Sequence, residues 1–268
     1  MAAVYGVQAA PYHAPLARRV VELAEPRTDG RVLDIGCGTG IATFEAARRM
    51  RAIAIGIDLA DGAVRVAAAR AAASGVRNAR FVIMDARLLS FPDARLGTVV
   101  SCLGHPVVGR DRCFAEAFRV LAPDGRFVLC TGTDLVSPVG KAFREILESR
   151  RPATLPDDVA SLLEARKTIA GTSESKAMLR PEGWLRALEG AGFLSVSVIE
   201  ETHPILFPDP DAYLRYSFAW GDNDRELHYM TKEDRESLRM DFRRRVDALS
   251  SPKGLVVERP TRYFIAQK

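Results

Sequence analysis

At 268 residues the chain is long enough to bury a substantial core, as one large domain or two small ones. Hydrophobic residues at 47% and charged residues at 27% are ordinary globular values, which exclude a disordered, collagen-like or disulfide-stapled chain. The net charge of +4 comes from 38 Lys and Arg interspersed among 34 Asp and Glu, weak grounds for a nucleic-acid partner. No apolar run approaches the ~20 residues of a membrane span, and MAAVYGVQAAPYHAPLARR lacks the charged start and unbroken apolar stretch of a leader. A soluble, cytoplasmic protein with no membrane partner is expected.

From residue 31 onward short apolar, β-branched runs alternate with helical segments: RVLDIG, TFEAARRM, AIAIGID, AVRVAAARAAASG and ARFVIMD read as βαβαβ. LGTVVSCLG continues the pattern, followed by the helix DRCFAEAFRVLAP with Phe114, Ala117, Phe118 and Leu121 on one face, and by the strand GRFVLCTG. Strands this apolar, joined by helices, imply a mostly parallel sheet covered on both sides, a doubly wound α/β fold. Gly30, Gly75 and Pro123-Asp124-Gly125 fall where turns are due. Two helical patterns split by Pro152 and Pro156 then interrupt the rhythm, which predicts a helical cap over 134–180. The rhythm resumes with RPEGWLRALEGAGF and LSVSVIEETHPILF, passes through polar helices to about residue 250, and closes with GLVVERPTRYFIAQK. Arg243-Arg244-Arg245 has acidic residues at helical spacing and reads as a solvated helix face. Cys37, Cys102, Cys113 and Cys130 occur singly, without the paired spacing of a zinc or redox site, and read as reduced thiols.

The sharpest signal is Val32-Leu33-Asp34-Ile35-Gly36-Cys37-Gly38-Thr39-Gly40, a strand running into a glycine-rich turn that opens a helix. In an open parallel sheet that turn lies at the carboxyl edge, where ligands bind. Asp58 closes the second strand, placed for a carboxylate to take both hydroxyls of a ribose. A dinucleotide fingerprint would need glycine at position 41, where Ile41 stands, and a pyrophosphate would not welcome Asp34. The acid argues instead for a cationic nucleoside cofactor such as S-adenosylmethionine, drawn to Asp34 directly or through water.

VLDIGCGTG, GIDLA, FVIMDARLLSFPD and FRVLAPDGRFVL resemble the class I S-adenosylmethionine-dependent methyltransferases, in particular the small-molecule branch with the ubiquinone/menaquinone-type enzymes. The resemblance is strong over 30–132 and weaker over AGFLSVSVIE and the final strand. It implies one Rossmann-like domain over 1–268, seven strands with the last antiparallel, a lid over 1–29, and substrate-side helices over 134–180 and 204–250. It also implies that Gly36, Gly38 and Gly40 form the cofactor loop, Asp34 faces the methionine end and Asp58 holds the ribose. Leu59 would pack on adenine, Asp85 would accept from its amine, Ala86 would offer a backbone N–H, and Cys102 would offer backbone to the methionine part. Pro123-Asp124-Gly125 stands where the family has proline-glycine-glycine, a swap Asp tolerates in a turn.

Methyl transfer needs mainly alignment, with a base for hydroxyl or protonated amine acceptors. His105, after the fourth strand, and His13, upstream of the first, are the candidate bases, while Tyr12 is placed to touch the methionine moiety. Metal-assisted catechol chemistry would want acids at the ends of the fourth and fifth strands, but Ser101-Cys102 ends one and Asp134 alone follows the other, so no metal is expected. SCLGHPVV lacks the run that amino-methylating DNA enzymes carry there, which disfavours nucleic acid. Phe207, Tyr213, Tyr216, Phe218 and Trp220 could line a pocket for an apolar or aromatic methyl acceptor with an oxygen, nitrogen or carbon nucleophile, or simply pack a helix on the core. The remaining alternatives are a cofactor-binding protein diverted to other chemistry such as cyclisation, and a nucleotide-cofactor oxidoreductase. A monomer or homodimer is expected.

Overall fold

The structure, a computed structural model, describes residues 2–26, 30–49, 53–104, 109–133, 135–151, 154–219 and 221–268. Two helices, α1 (Ala2–Gln8) and α2 (Ala14–Ala24), joined by a 3-10 turn at Ala10–His13, precede the sheet. Pro15 lies in the first turn of α2, where its missing N–H costs nothing, and Leu16, Ala17, Val20, Val21 and Ala24 form the buried stripe.

The alternation follows as β1 (Val32–Ile35), α3 (Ile41–Arg49), β2 (Ala54–Asp58), α4 (Asp61–Ala73), β3 (Ala79–Ile83), β4 (Leu96–Cys102), α5 (Arg110–Val120) and β5 (Leu121–Gly132). The cap segments and second half comprise α6 (Pro138–Ser149), α7 (Asp157–Gly171), α8 (Ser173–Ala177), α9 (Pro181–Gly190), β6 (Ser195–Phe207), α10 (Pro210–Phe218), α11 (Gly221–His228), α12 (Lys232–Val246), β7 (Ser250–Ser251) and β8 (Gly254–Gln267). Among the described residues no helix is long and apolar enough to cross a membrane.

Strand order is β3-β2-β1-β4-β5-β8-β6, with β1 to β5 mutually parallel and β8 antiparallel to both β5 and β6. The expected sheet of seven strands is there, and the two-residue β7 adds a short hairpin on β8. Successive residues of a strand face opposite sides, so Leu33, Val99 and Leu129 meet α5 and α9 through Phe114, Ala117, Trp184 and Leu188. Val32, Val100 and Val128 meet α2 and α3 on the other face. Leu121 belongs to β5, because α5 ends one residue earlier. The Pro123-Asp124-Gly125 turn is a bulge inside β5: Asp124 takes φ +60°, and the register with β4 shifts between Leu96/Leu121 and Thr98/Arg126.

Arg243-Arg244-Arg245 stays open to solvent, as the spacing suggests, and is also ion-paired. Arg243 pairs with Asp211, Arg244 with Asp241 and Arg245 with Glu145, which ties α12 to α10 and α6. The four cysteines are free thiols, three of them buried. The order of strands reverses between β1 and β4, and the carboxyl ends of these two strands converge on the glycine turn.

Candidate active site

Gly36, Gly38 and Gly40 all adopt positive φ, at +66°, +53° and +91°, so the turn from β1 into α3 requires glycine. Their surroundings differ. A Cβ on Gly36 would stand 1.9 Å from the carbonyl oxygen of Gly104, because the loop after β4 packs backbone against backbone there. At Gly40 the space is filled by the rings of Phe81 and Phe44, 2.8 and 2.9 Å away, so this glycine serves packing. A Cβ on Gly38 would meet nothing within 4 Å, and this residue lines a cavity of about 550 Å³.

Two carboxylates face that cavity. Asp58 accepts the Gly38 N–H at 2.8 Å and the Ala60 N–H at 2.9 Å, which fixes both the loop and its own orientation. Asp34, at the end of β1, is 1% exposed and accepts from Thr43 Oγ1 at 2.6 Å. Burial pushes its pKa up to about 7, outweighing the Thr43 hydrogen bonds that favour the ionised form. Among the described lining residues there is no Lys or Arg, and the buried hydroxyl of Thr39 has no partner. Two acids, an orphaned hydroxyl and bare glycine backbone suit a nucleoside bearing positive charge and not a pyrophosphate.

His13, Gly36 and Cys102 line the same cavity with Asp34, Gly38 and Asp58. Gly40, Leu59, Asp85 and Ala86 do not. Leu59 is 62% exposed, and Asp85 lies at the adjoining edge, where Met84 N–H donates to the Asp58 carbonyl. The Asp85 carboxylate is held by the Arg87 guanidinium at 2.7 Å and backbone N–H at 2.8 Å, and the Arg87 hydrogen bonds keep its pKa below the usual carboxylate value. Cys102 Sγ sits 3.6 Å from Cys130 Sγ, and that contact together with burial raises its pKa, so it remains a thiol. His105 lies outside the described residues, as do Asp134 and Trp220.

Tyr12 is placed differently from expectation. In the 3-10 turn Ala10–His13 neighbouring side chains diverge by about a third of a turn, so His13 faces the glycine-loop cavity while Tyr12 faces another. Tyr12 stacks on Phe207 with ring centroids 4.2 Å apart. The aromatic place in the first cavity goes to Tyr5 of α1, whose hydroxyl meets His13 Nδ1 at 3.2 Å. His13 Nε2 in turn faces the Tyr216 hydroxyl at 3.3 Å. Burial, with the Arg259 charge adding to it, lowers the His13 pKa to about 3 and keeps the ring neutral. Sequence reasoning missed Tyr5, Thr39 and the Leu103-Gly104 backbone. For the last two the signal was present, a small hydroxyl inside the glycine turn and a glycine just past β4.

The second cavity, of about 710 Å³, lies under the cap, with Tyr12, Phe143, Phe207, Tyr213 and Tyr216 among its walls. It borrows Gly132 and Thr133 from the end of β5 and Val257 to Pro260 from β8. Three of the five aromatics read from the sequence, Phe207, Tyr213 and Tyr216, therefore line a pocket; Phe218 packs on Phe143 instead, at 5.4 Å.

The fold and the acid-flanked glycine turn together define a doubly wound protein built to hold a nucleoside cofactor at the switch point of its sheet. Residues 32–125 match the family model described as a methyltransferase domain. The chain is 28% identical over 243 residues to the nocamycin O-methyltransferase of Saccharothrix syringae, covering 88% of this chain and 84% of that protein. It is 32% identical over 211 residues to the malonyl-[acyl-carrier protein] O-methyltransferase of Geobacter sulfurreducens, covering 76% and 72%. The crystal structure of the YcgJ protein from Bacillus subtilis superposes with a TM-score of 0.58 at 20% identity, covering 96% of this chain and 97% of that one. The [4+2]-cyclase SpnF shares the fold at a TM-score of 0.55 and 20% identity, covering 95% and 81%. The chain belongs to the class I S-adenosylmethionine-dependent methyltransferases of small-molecule type. Its cofactor is S-adenosylmethionine and its reaction is methyl transfer to a small-molecule acceptor, which sets the oxidoreductase alternative aside.

Proposed function

We propose that the glycine-loop cavity holds S-adenosylmethionine and that the aromatic cavity under the cap takes an apolar or aromatic acceptor. The observation that carries this reading is the wall between them: His13 lines the first cavity, Tyr216 lines the second, and the two side chains meet at 3.3 Å. S-adenosylmethionine, when bound, supplies a sulfonium-borne methyl group open to in-line attack. Asp58 would hold the ribose hydroxyls, Asp34 the methionine ammonium, Leu59 and Asp85 the adenine ring and its amine, and Ala86 a ring nitrogen through its N–H. Gly36, Gly38 and the backbone at Cys102 would frame the methionine chain, while Gly40 supports the loop from behind.

Tyr12, on the acceptor side, is reassigned to shaping that pocket. His13 is a poor general base at neutral pH because its conjugate acid would be buried beside the Arg259 charge, so its part is to orient Tyr5 and Tyr216. His105 stays the candidate base for a hydroxyl acceptor. The relatives named O-methyltransferases support oxygen as the accepting atom. Residues 1–29 would close over the cofactor, and the helices in 134–180 and 204–250 would roof the acceptor.

The deciding experiment incubates the protein with methyl-labelled S-adenosylmethionine and small-molecule extract, with mass spectrometry of the products. Label in a small aromatic molecule is the expected result, with turnover falling ~10²–10⁴-fold in His105→Ala if a base is used. Label confined to RNA or protein would overturn the acceptor assignment. Tight cofactor binding with no transfer would favour the diverted reading, for which the fold shared with a cyclase is the specific precedent.

A further inference from the structure

The cap is dense in arginine, and six of its arginines are ion-paired. Arg150 and Arg244 share Asp241, Arg151 holds Glu226, Arg239 and Arg243 hold Asp211, and Arg245 reaches Glu145. Arg259 of β8 breaks this pattern. It is half-buried on the wall of the aromatic cavity, and its Nη1 donates to the Tyr216 hydroxyl at 2.8 Å. Its Nε is sealed from solvent with no hydrogen-bond partner, and the guanidinium makes no ion pair with a carboxylate among the described residues. A guanidinium partly desolvated on an aromatic wall, with no carboxylate to offset its charge, is costly to leave so, and an anion in the cavity would relieve that cost.

The remaining charges at this cavity point the same way. Arg144 on α6 and Arg166 on α7 line it from exposed positions, against one carboxylate among the described residues, the exposed Glu258. Arg259 is thus the inner cation and the other two stand nearer solvent, a gradient that favours entry of a negatively charged molecule. The glycine-loop cavity, by contrast, is lined by acids and by no Lys or Arg among the described residues.

We propose that the acceptor carries a carboxylate and that Arg259 anchors it, which makes Arg259 a specificity-determining residue for the methyl acceptor. The inference rests on the reading of the aromatic cavity as the acceptor pocket. The permanent charge of the Arg259 guanidinium suits a carboxylate, and its bond to Tyr216 holds it on the cavity wall, with the aromatic rings left to hold the apolar body.

The test uses 2-naphthoate and its neutral isostere 2-naphthamide as probes, titrated calorimetrically into the protein saturated with S-adenosylhomocysteine. The naphthoate is expected to bind about tenfold more tightly, with the preference lost in Arg259→Met and partly regained in Arg259→Lys, while naphthamide affinity stays put. Equal affinities in the unmodified protein, no naphthoate binding at low-millimolar concentration, or a preference that survives in Arg259→Met would each overturn the proposal. Should Arg259→Met fail to fold, the comparison of the two probes on the unmodified protein and on Arg259→Lys decides. S-adenosylhomocysteine affinity is read in the same samples. Loss of cofactor binding in the unmodified protein would sink the functional reading itself, whereas retained cofactor binding without charge preference sinks only the role of Arg259.

Discussion

The two cavities that meet at His13 and Tyr216 are built on opposite principles. The glycine-loop cavity is made of backbone and acids: three consecutive-but-one glycines at positive φ, two carboxylates, and a loop after β4 pressed so close that Gly36 and Gly104 touch main chain to main chain. The cavity under the cap is made of side chains: aromatic rings and arginines brought from α6, α7, α10, β6 and β8. A backbone site depends on a few dihedral angles and has little freedom to vary, so it suits a cofactor that does not change. A side-chain site can be respecified residue by residue without disturbing the sheet, which suits an acceptor that differs among relatives.

The sharpest way to break this contrast is at Gly36. Gly36→Ala sets a methyl group 1.9 Å from the Gly104 carbonyl at a φ of +66°, and no side-chain motion can relieve a backbone clash. We expect a loss of ~3 kcal/mol or more in unfolding stability and a fall of more than ~10²-fold in S-adenosylhomocysteine affinity. Near-normal melting and binding would mean that the loop is pliant and the comparison mistaken. Asp58→Ala comes next. Removing the acceptor for the Gly38 and Ala60 N–H groups should weaken S-adenosylhomocysteine binding by ~1.5–3 kcal/mol, measured by calorimetry, with the naphthoate preference of the other cavity intact.

Acid titration probes two groups of the glycine-loop cavity. Asp34 has its folded pKa raised from 3.8 to about 7, so the folded protein takes up the proton first and stability is lost as pH rises through that range. His13 is lowered from 6.5 to about 3, so the unfolded chain takes up the proton first and stability is lost as pH falls below 6.5. The two slopes oppose one another between pH 3.8 and 6.5, each worth at most ~1.4 kcal/mol per pH unit. Denaturant midpoints across that window should therefore rise with pH more steeply in Asp34→Asn than in the unmodified protein. In His13→Gln they should fall with pH relative to it. Identical profiles in all three would show that neither group is held in the state described. The smallest effect belongs to the cap: Asp211→Asn, which leaves Arg239 and Arg243 without their shared carboxylate, should cost ~1 kcal/mol or less in stability and leave cofactor affinity unchanged.

The same contrast explains what could be read from the sequence. A backbone site forces glycine at fixed spacing and acids at strand ends, so Asp34, Gly36, Gly38 and Asp58 stand out in VLDIGCGTG and GIDLA, and a mostly parallel sheet follows from the alternation. Tyr5 could not be read that way, because it reaches the cavity through the packing of α1 against α4 and α10, elements far from it in the chain. Tyr12 and His13 are adjacent residues yet face different cavities, a separation set by the 3-10 turn and invisible in the letters. Arg259 was hidden for a further reason. In GLVVERPTRYFIAQK it reads as one more polar residue of a closing strand, and nothing in the spacing says that it meets Tyr216.

The place of β8 has a consequence for how the molecule is made. β1 to β5 are joined by short crossovers and can assemble from local segments, yet β5 finds its second neighbour only in Thr261 to Gln267, beyond the cap helices and β6. Until that strand arrives, an apolar strand that ends buried in the middle of the sheet stands with an open edge. This pairing spans the longest sequence separation among the strand pairs of the sheet, so its closure carries the largest loop entropy, and any state that lacks it leaves an edge open to pairing with another copy.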